Sequence, residues 1–319
     1  MQAFTDTFAQ NAMFISFVSS LTTLAVCIIA GYISRKAKIL SDELNIGMSS
    51  VLVKVTLPCM VFVSMMRPFS RTLLMESLAT LFITAAVYLS GFFIGMGLAR
   101  LMGASDDEKR VWQFALVFAN VGYMGFPIIQ AVYGYEGLIY TTMANVTFNI
   151  LAFSLGVYLF RKDTSGQVKA NLKAIAFNPA LIATYIGFLF FVTGWRLPEV
   201  VQDGVSLVGN MTVPLSMILV GSILAKSRLL TLVNDPRVLP VIFVRLLVIP
   251  LAAFFILRIF VHNQVMLGVI VILAAMPVAA LTVIFAEQYR GNTVVASKLV
   301  AFSSILCLLS IPLISLLLQ

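Results

Sequence analysis

Apolar residues run through this chain in blocks far longer than a buried strand needs, and polar residues gather in the short gaps between them. A helix crosses roughly 30 Å of hydrocarbon with about 20 apolar residues, and runs of that length recur from end to end. The pattern predicts ten spans, over 11–34, 44–66, 75–100, 111–132, 137–160, 176–194, 202–225, 238–261, 264–287 and 292–318. The stretch from Val111 to Phe160 has Glu136 as its only charge and is too long for one crossing, so it folds back at Tyr133-Gly134-Tyr135-Glu136-Gly137. The fold class is an all-α integral membrane protein.

Composition removes the soluble alternatives. Of 319 residues 61% are hydrophobic and 11% charged, against roughly 45–50% and about 25% in a soluble domain, too few charges for a water-facing surface. A net charge of +8 would suit nucleic acid in a soluble chain, but here the basic residues sit in the gaps and orient the spans. With the gaps assigned alternately to two sides, 14 of the 21 basic residues share one side, among them Arg35, Lys36, Lys109, Arg110, Lys226 and Arg290. That side is cytoplasmic, which puts both termini of a multi-pass cell-membrane protein outside. The longest gap is 161–175, so a separate catalytic or receptor module is not expected. Cys27, Cys59 and Cys307 lie in apolar runs without ligand spacing, and neither a metal nor a cofactor is expected.

The two halves resemble each other. Val55-Thr56-Leu57-Pro58-Cys59-Met60-Val61 aligns with Met211-Thr212-Val213-Pro214-Leu215-Ser216-Met217 at an offset of 156 residues, Ser70-Arg71-Thr72-Leu73-Leu74 with Ser227-Arg228-Leu229-Leu230 at 157, and Tyr135-Glu136-Gly137 with Tyr289-Arg290-Gly291 at 154. Five spans per repeat is an odd number, so the second copy enters from the opposite side. Residues 1–160 form the first inverted repeat, 161–175 a cytoplasmic linker and 176–319 the second repeat.

Helices that break in matching positions of two such halves mark a transport site. Span 4 carries Asn120-Val121-Gly122-Tyr123-Met124-Gly125-Phe126-Pro127, and span 9 carries Ala274-Ala275-Met276-Pro277-Val278-Ala279-Ala280-Leu281-Thr282 at the same depth. Proline removes a backbone donor and glycine permits unwound geometry, so the freed groups must face a partner or a wet cavity. Half-helices restarting here would aim amides at the midplane, where their dipoles favour an anion. The candidate substrate contacts are Asn120, Val121, Gly122, Gly125 and Pro127 with Met276, Pro277, Val278 and Thr282. Asn145 and Asn149, one turn apart on span 5, form a polar stripe that faces either the crossing or a neighbouring helix. Pro58 and Pro214 are candidate hinges in spans 2 and 7.

Charges within spans carry a functional hypothesis by default. Lys54 lies near the middle of span 2 and Glu76 near the outer end of span 3, separated in depth by about 10 Å at ~1.5 Å per residue. Lys54, with or without Glu76, is a candidate for sensing substrate or protons; a structural ion pair is the alternative. Arg245 in span 8 either snorkels to the cytoplasmic surface or serves the inward cavity.

Leu57-Pro58-Cys59-Met60-Val61-Phe62, the Asn120–Pro127 motif and the Pro277 segment together resemble the auxin efflux carrier family, which contains plant PIN-type carriers and bacterial permeases for malonate, malate and similar organic acids. The resemblance covers the chain in length, span count and central-gap position. It implies crossing broken helices 4 and 9, a scaffold of spans 1, 2, 6 and 7 and a transport domain of spans 3–5 and 8–10, with Asn120, Gly122, Gly125, Pro127 and Pro277 as crossover residues. The chain departs from the pattern in span 9, where Ala274, Ala275 and Ala279 offer no Asn side chain, leaving backbone or Thr282. It also lacks the long cytoplasmic loop of the plant carriers, which makes the bacterial permeases the nearer comparison.

These readings converge on a secondary transporter that moves a small organic anion, a carboxylate, by alternating access, and not on an enzyme, since no nucleophile–base pair or paired carboxylates lie at depth. Protons or sodium are the candidate coupling ions and a second copy of the chain a candidate partner. The alternatives are a sodium-coupled organic-anion symporter of related fold and a membrane sensor without flux.

Overall fold

The computed structural model describes residue 19 and residues 22–160, 177–226 and 237–318. The start of span 1, the linker and the Ser227–Leu230 repeat anchor lie outside the described residues. Among the described residues the chain is helical, with an isolated pair of bridging residues as its only strand-like contact. The helices are α1 (22–36), α2 (Asp42–Met65), α3 (Arg71–Leu101), α4 (Asp106–Val117), α5 (Val121–Phe160), α6 (Pro179–Thr193), α7 (Glu199–Ala225), α8 (Val238–Leu257), α9 (Gln264–Ala274), α10 (Leu281–Gln288) and α11 (Thr293–Leu318). Six of them, α2, α3, α5, α7, α8 and α11, are long and apolar enough to cross a membrane, and α6 and α9 are shorter apolar helices.

Polar residues in the gaps start the helices. Ser41, Ser70, Asn178, Asn263 and Asn292 each accept a hydrogen bond from a first-turn amide. Ser105 and Glu108 form a reciprocal capping box. Such a cap contributes about 1 kcal/mol and fixes where the helix begins, which matters when the apolar run itself has no sharp edge.

Proline shapes the interiors. Leu52–Thr56, Val121–Gly125 and Val244–Val248 are wide π turns, and in each case the sixth residue after the first is a proline: Pro58, Pro127 and Pro250. A proline ring pushes on the carbonyl four residues earlier, which is the third residue of each π turn, and widening that turn relieves the clash without ending the helix. Pro214 sits instead just beyond Met211, where α7 is interrupted by a single turn. The two prolines expected to be equivalent hinges therefore bend their helices in different ways.

The fold-back between spans 4 and 5 is carried by Gly134, with φ 59° and ψ −151°. A Cβ on Gly137 would lie 2.6 Å from Ile129 Cγ2, eight residues back, whereas those positions along one straight helix are about 12 Å apart. α5 is thus two arms joined at Gly134.

Packing falls into two groups. In the first, α1, α2, α6 and α7 approach through glycines: a Cβ on Gly31 would strike the Ile218 carbonyl, one on Gly221 the Ile28 carbonyl, one on Gly209 the Met60 backbone at 2.9 Å and one on Gly187 the Met65 side chain at 2.9 Å. Small residues give membrane helices the backbone approach that van der Waals packing needs when lipid supplies no hydrophobic drive. In the second group, α4, the second arm of α5 and α10 meet in an aromatic cluster, with Phe114 4.5 Å from Phe118, 5.4 Å from Phe160 and 5.1 Å from Phe285 between ring centroids.

Candidate functional site

α4 stops at Val117 and helical geometry resumes at Val121; α9 stops at Ala274 and α10 begins at Leu281. The two interruptions meet. Ala119 and Val278 face each other as an antiparallel bridge, in which the Asn120 amide donates to the Pro277 carbonyl at 2.8 Å and the Ala279 amide to the Phe118 carbonyl at 3.0 Å. The Val278 amide, which points away from this bridge, donates to Ser303 Oγ of α11 at 3.0 Å. The freed backbone at each break is thus satisfied on one side by its counterpart, as irregular backbone inside a membrane protein must be.

The restart of each helix is left open. The amides of Gly122 and Tyr123, and those of Ala280 and Leu281, have no acceptor among the described residues. All four residues are half-buried, while Val121, Met124, Ala279 and Thr282 around them are buried. Two helix N-termini therefore carry unaccepted donors on half-buried residues, each end equivalent to roughly half a positive charge. The Asn120 side chain is 8% exposed and has no hydrogen-bond partner among the described residues. Thr282 Oγ1 is buried without one. Gly122 is free of close neighbours, whereas a Cβ on Gly125 would meet Leu273 of α9 at 2.8 Å, so the two glycines of the motif serve different ends, an open donor edge and a tight crossing.

Across the two breaks the structure brings Asn120 to Pro277, Ala119 to Val278 and Gly125 to Leu273; Val121, Gly122 and Pro127 follow in the restart of α5, Met276 directly precedes Pro277, and Thr282 lies in the first turn of α10. Asn145 is buried with its side chain unpartnered among the described residues, but Asn149 is engaged elsewhere: it donates to the Asn145 carbonyl at 2.8 Å and accepts from Asn178 of α6 at 3.1 Å. The Lys54–Glu76 pair does not form. Glu76 accepts from Tyr140 Oη at 2.7 Å and from Asn263 Nδ2 at 3.0 and 3.1 Å, and Lys54 is exposed on α2 with no partner among the described residues. The depth difference between the two residues, together with this closer donor pair, accounts for it. Arg245 does not snorkel; it is 1% exposed, with Nε donating to the Met276 carbonyl at 3.2 Å and Nη1 to the Leu116 carbonyl at 3.0 Å. Ser303, Asn178 and Asn263 were not among the residues expected here. An Asn directly before an apolar run is an N-cap signal that marks the last two, while Ser303 has no signal beyond being polar in an apolar helix.

A family model described as a membrane transport protein matches residues 16–315. The chain belongs to this family. It is the auxin efflux carrier family that the Asn120–Pro127 motif resembles, and membership makes the chain a membrane transporter. Family relatives include a transporter from Methanothermobacter thermautotrophicus, 27% identical over 304 residues, covering 94% of this chain and 98% of the relative. A transporter from Methanocaldococcus jannaschii is 23% identical, covering 83% of this chain and 87% of the relative. The transporter YfdV of Escherichia coli is 20% identical over 93% of this chain and 96% of its own. All three are described as uncharacterized transporters, so the family fixes the class of activity and leaves the substrate to be argued from the site.

Proposed function

We propose that this transporter moves a small organic anion across the cell membrane by alternating access, with the carboxylate bound where spans 4 and 9 cross. The observation that carries this reading is the set of four unaccepted amides on half-buried residues at the two helix starts that follow the bridged breaks, with the unpartnered side-chain carboxamide of Asn120 beside them. Such an arrangement stabilises negative charge without a cationic side chain in the site. A cavity of about 280 Å³ lies one turn away, lined by Ala25, Ile28, Met124, Ile128, Met217 and Ile311. Its lining favours an acid with a hydrocarbon body over a polyhydroxylated one.

In this reading α4 and the first arm of α5 are span 4, the second arm is span 5, and α9 and α10 together are span 9, which gives ten spans in two inverted halves with both termini outside. Spans 1, 2, 6 and 7 form the scaffold, held by the glycine contacts, and spans 3–5 and 8–10 move as the transport domain. Polar contacts between the two groups support a displacement of the second toward the cytoplasm. Asn210, eleven residues into α7 from Glu199, accepts from Gln130 and from Tyr135 beside the outer turn. Asn178 at the start of α6 donates to Asn149, eleven residues before Phe160. Ser49, seven residues into α2, meets Tyr123, seventeen residues beyond Asp106. At ~1.5 Å per residue each pairing offsets the two groups by about 10 to 17 Å in the same direction.

The test is a thermal-shift screen of purified protein against butyrate, benzoate, malonate and malate, repeated with Asn120→Ala, followed by counterflow in proteoliposomes. Stabilisation by a monocarboxylate that Asn120→Ala abolishes is the expected result. A protein that no carboxylate stabilises, or that binds one without counterflow, refutes the reading.

A further inference from the structure

Two crossing interrupted helices bring four helix ends together, and only two of them are amide ends. The C-termini of α4 and α9 arrive at the same place; the Ala275 and Met276 amides close the last turn of α9 on Val271, Ile272 and Leu273, but the Leu116 carbonyl of α4 and the Met276 carbonyl just beyond α9 accept no backbone amide among the described residues, and they lie at the negative ends of the two helix dipoles. Left alone, that pair would cancel the field of the two amide ends across the crossing. It would also form an attractive seat for an alkali cation, since converging carbonyls are how membrane proteins hold sodium.

Arg245 occupies that seat. It projects from the π turn Val244–Val248 of α8, whose widening before Pro250 sets its direction, and its guanidinium bridges the Leu116 carbonyl in the last turn of α4 and the Met276 carbonyl just beyond α9. Among the described residues it is the only charged side chain in the buried set, it has no carboxylate partner, and its Nη2 is buried without an acceptor. A buried cation normally needs an anion beside it or it is strongly destabilising. Here the compensation comes from the Leu116 and Met276 carbonyls, which lie at the negative ends of two helix dipoles and partly offset the guanidinium charge. Gly91 of α3 packs on the Leu116 carbonyl from another side, where a Cβ would lie 2.5 Å from that oxygen, so the carbonyl is held in place as well as charged.

We infer that Arg245 is a tethered counter-cation: it neutralises the carbonyl ends of the crossing, leaves the amide ends as the net positive pole that an organic anion sees, and occupies the position an alkali cation would take, so anion binding does not depend on sodium. Arg245 touches no substrate in this arrangement and acts as a positioning residue through the two carbonyls. The inference rests on reading the crossing as an anion site.

The charge and the hydrogen bonds of Arg245 separate experimentally. Arg245→Lys keeps the charge with fewer donors, and Arg245→Gln keeps an amide donor without the charge. Thermal stability is measured for both and for Arg245→Ala, with and without about 10 mM guanidinium, far below denaturing concentrations, and with sodium exchanged for choline at constant ionic strength. Expected are a melting temperature for Arg245→Lys above that of Arg245→Gln, recovery of at least half the Arg245→Ala loss by guanidinium, and no response of the wild type to sodium. Butyrate affinity, read as the midpoint of its stabilisation, should fall at least about tenfold in Arg245→Gln and change less than about twofold in wild type between sodium and choline. Arg245→Gln matching or exceeding Arg245→Lys, guanidinium without effect on Arg245→Ala, or sodium-dependent butyrate binding in the wild type would overturn the counter-cation. Failure of butyrate and of the other carboxylates to bind wild type overturns the anion reading instead, and the guanidinium and Lys–Gln comparisons still decide the role of Arg245.

Discussion

Glu76 and Asn263 offer the sharpest test of how the outer end of the transport group is held. Glu76 Oε2 accepts from Tyr140 and from Asn263, and Oε1 accepts from Asn263, tying α3, the second arm of α5 and the start of α9 together. Glu76→Gln keeps the shape but turns one acceptor into a donor facing Asn263 Nδ2. Asn263 cannot answer by flipping, because its Oδ1 caps α9 through the Met266 amide at 3.0 Å. The substitution therefore loses one bond to a charged acceptor, about 2 kcal/mol, or about 4 °C in melting temperature for a chain of this size. Asn263→Asp sets two carboxylates within bonding distance and costs at least about 2 kcal/mol. The double variant should recover: the introduced glutamine would donate to the introduced aspartate and accept from Tyr140, and that aspartate would still cap α9, where negative charge is favoured. Melting of the four proteins in detergent, followed by the fluorescence of buried Trp112, should give a coupling energy of about 3 kcal/mol or more. Additive losses within about 0.5 kcal/mol would refute the cluster as an interacting unit.

Asn120→Ala should leave the melting temperature of the ligand-free protein within about 1 °C, since the side chain has no partner to lose, while weakening carboxylate binding about tenfold or more by the same thermal titration. Gly221→Val should abolish a stable fold or lower its melting temperature by more than about 5 °C, because its Cβ falls on the Ile28 carbonyl, whereas Gly122→Ala, with nothing within 4 Å, should be neutral or slightly stabilising. Gly134→Ala places a side chain at φ 59°, ψ −151°, a region adopted almost only by glycine, and should cost about 1–3 kcal/mol, read in the same melts.

Much of this architecture is legible in the sequence because a membrane leaves few options. Apolar run length gave an all-helical chain, of which six helices among the described residues are long and apolar enough to cross a membrane, the Tyr133–Gly137 cluster gave the turn at Gly134, and one proline with two glycines marked where α4 gives way to α5. What pattern alone did not deliver is partner choice among buried polar groups. Lys54 and Glu76 were natural partners by sign and by neighbouring spans, yet Glu76 is satisfied by Tyr140 and Asn263, which come from segments 64 and 187 residues away. Asn145 and Asn149 form a stripe that could face the crossing or a neighbouring helix, and for Asn149 the neighbour decides: its Oδ1 accepts from Asn178 of α6 while its amide donates to the Asn145 carbonyl. Sequence spacing constrains which residues share a helix face; it does not say which neighbouring helix that face meets.

The kinds of contact in the two groups bear on how such a protein could move. Inside the first group the helices interlock at glycines, where backbone lies on backbone and any sliding would drive a carbonyl into a Cα. Inside the second, aromatic rings interdigitate around Phe114 and Phe118, and Arg245, Ser303 and the Ala119–Val278 bridge fasten the crossing itself to α8 and α11. Between the groups the hydrogen bonds among the described residues include Ser49 with Tyr123, Ser64 with Thr142, Asn210 with Gln130 and Tyr135, and Asn178 with Asn149, all neutral. A neutral bond contributes about 1 kcal/mol net and can be exchanged for another of its kind, whereas a steric interlock or a bridged buried cation cannot be re-made one turn along. The surface of lowest resistance therefore runs between the groups and past the open amides of Gly122, Tyr123, Ala280 and Leu281. On the proposed anion reading, a displacement along it would carry the crossing and its counter-charge as one unit, so the field proposed to hold the anion would travel with it and would not have to be rebuilt on the other side.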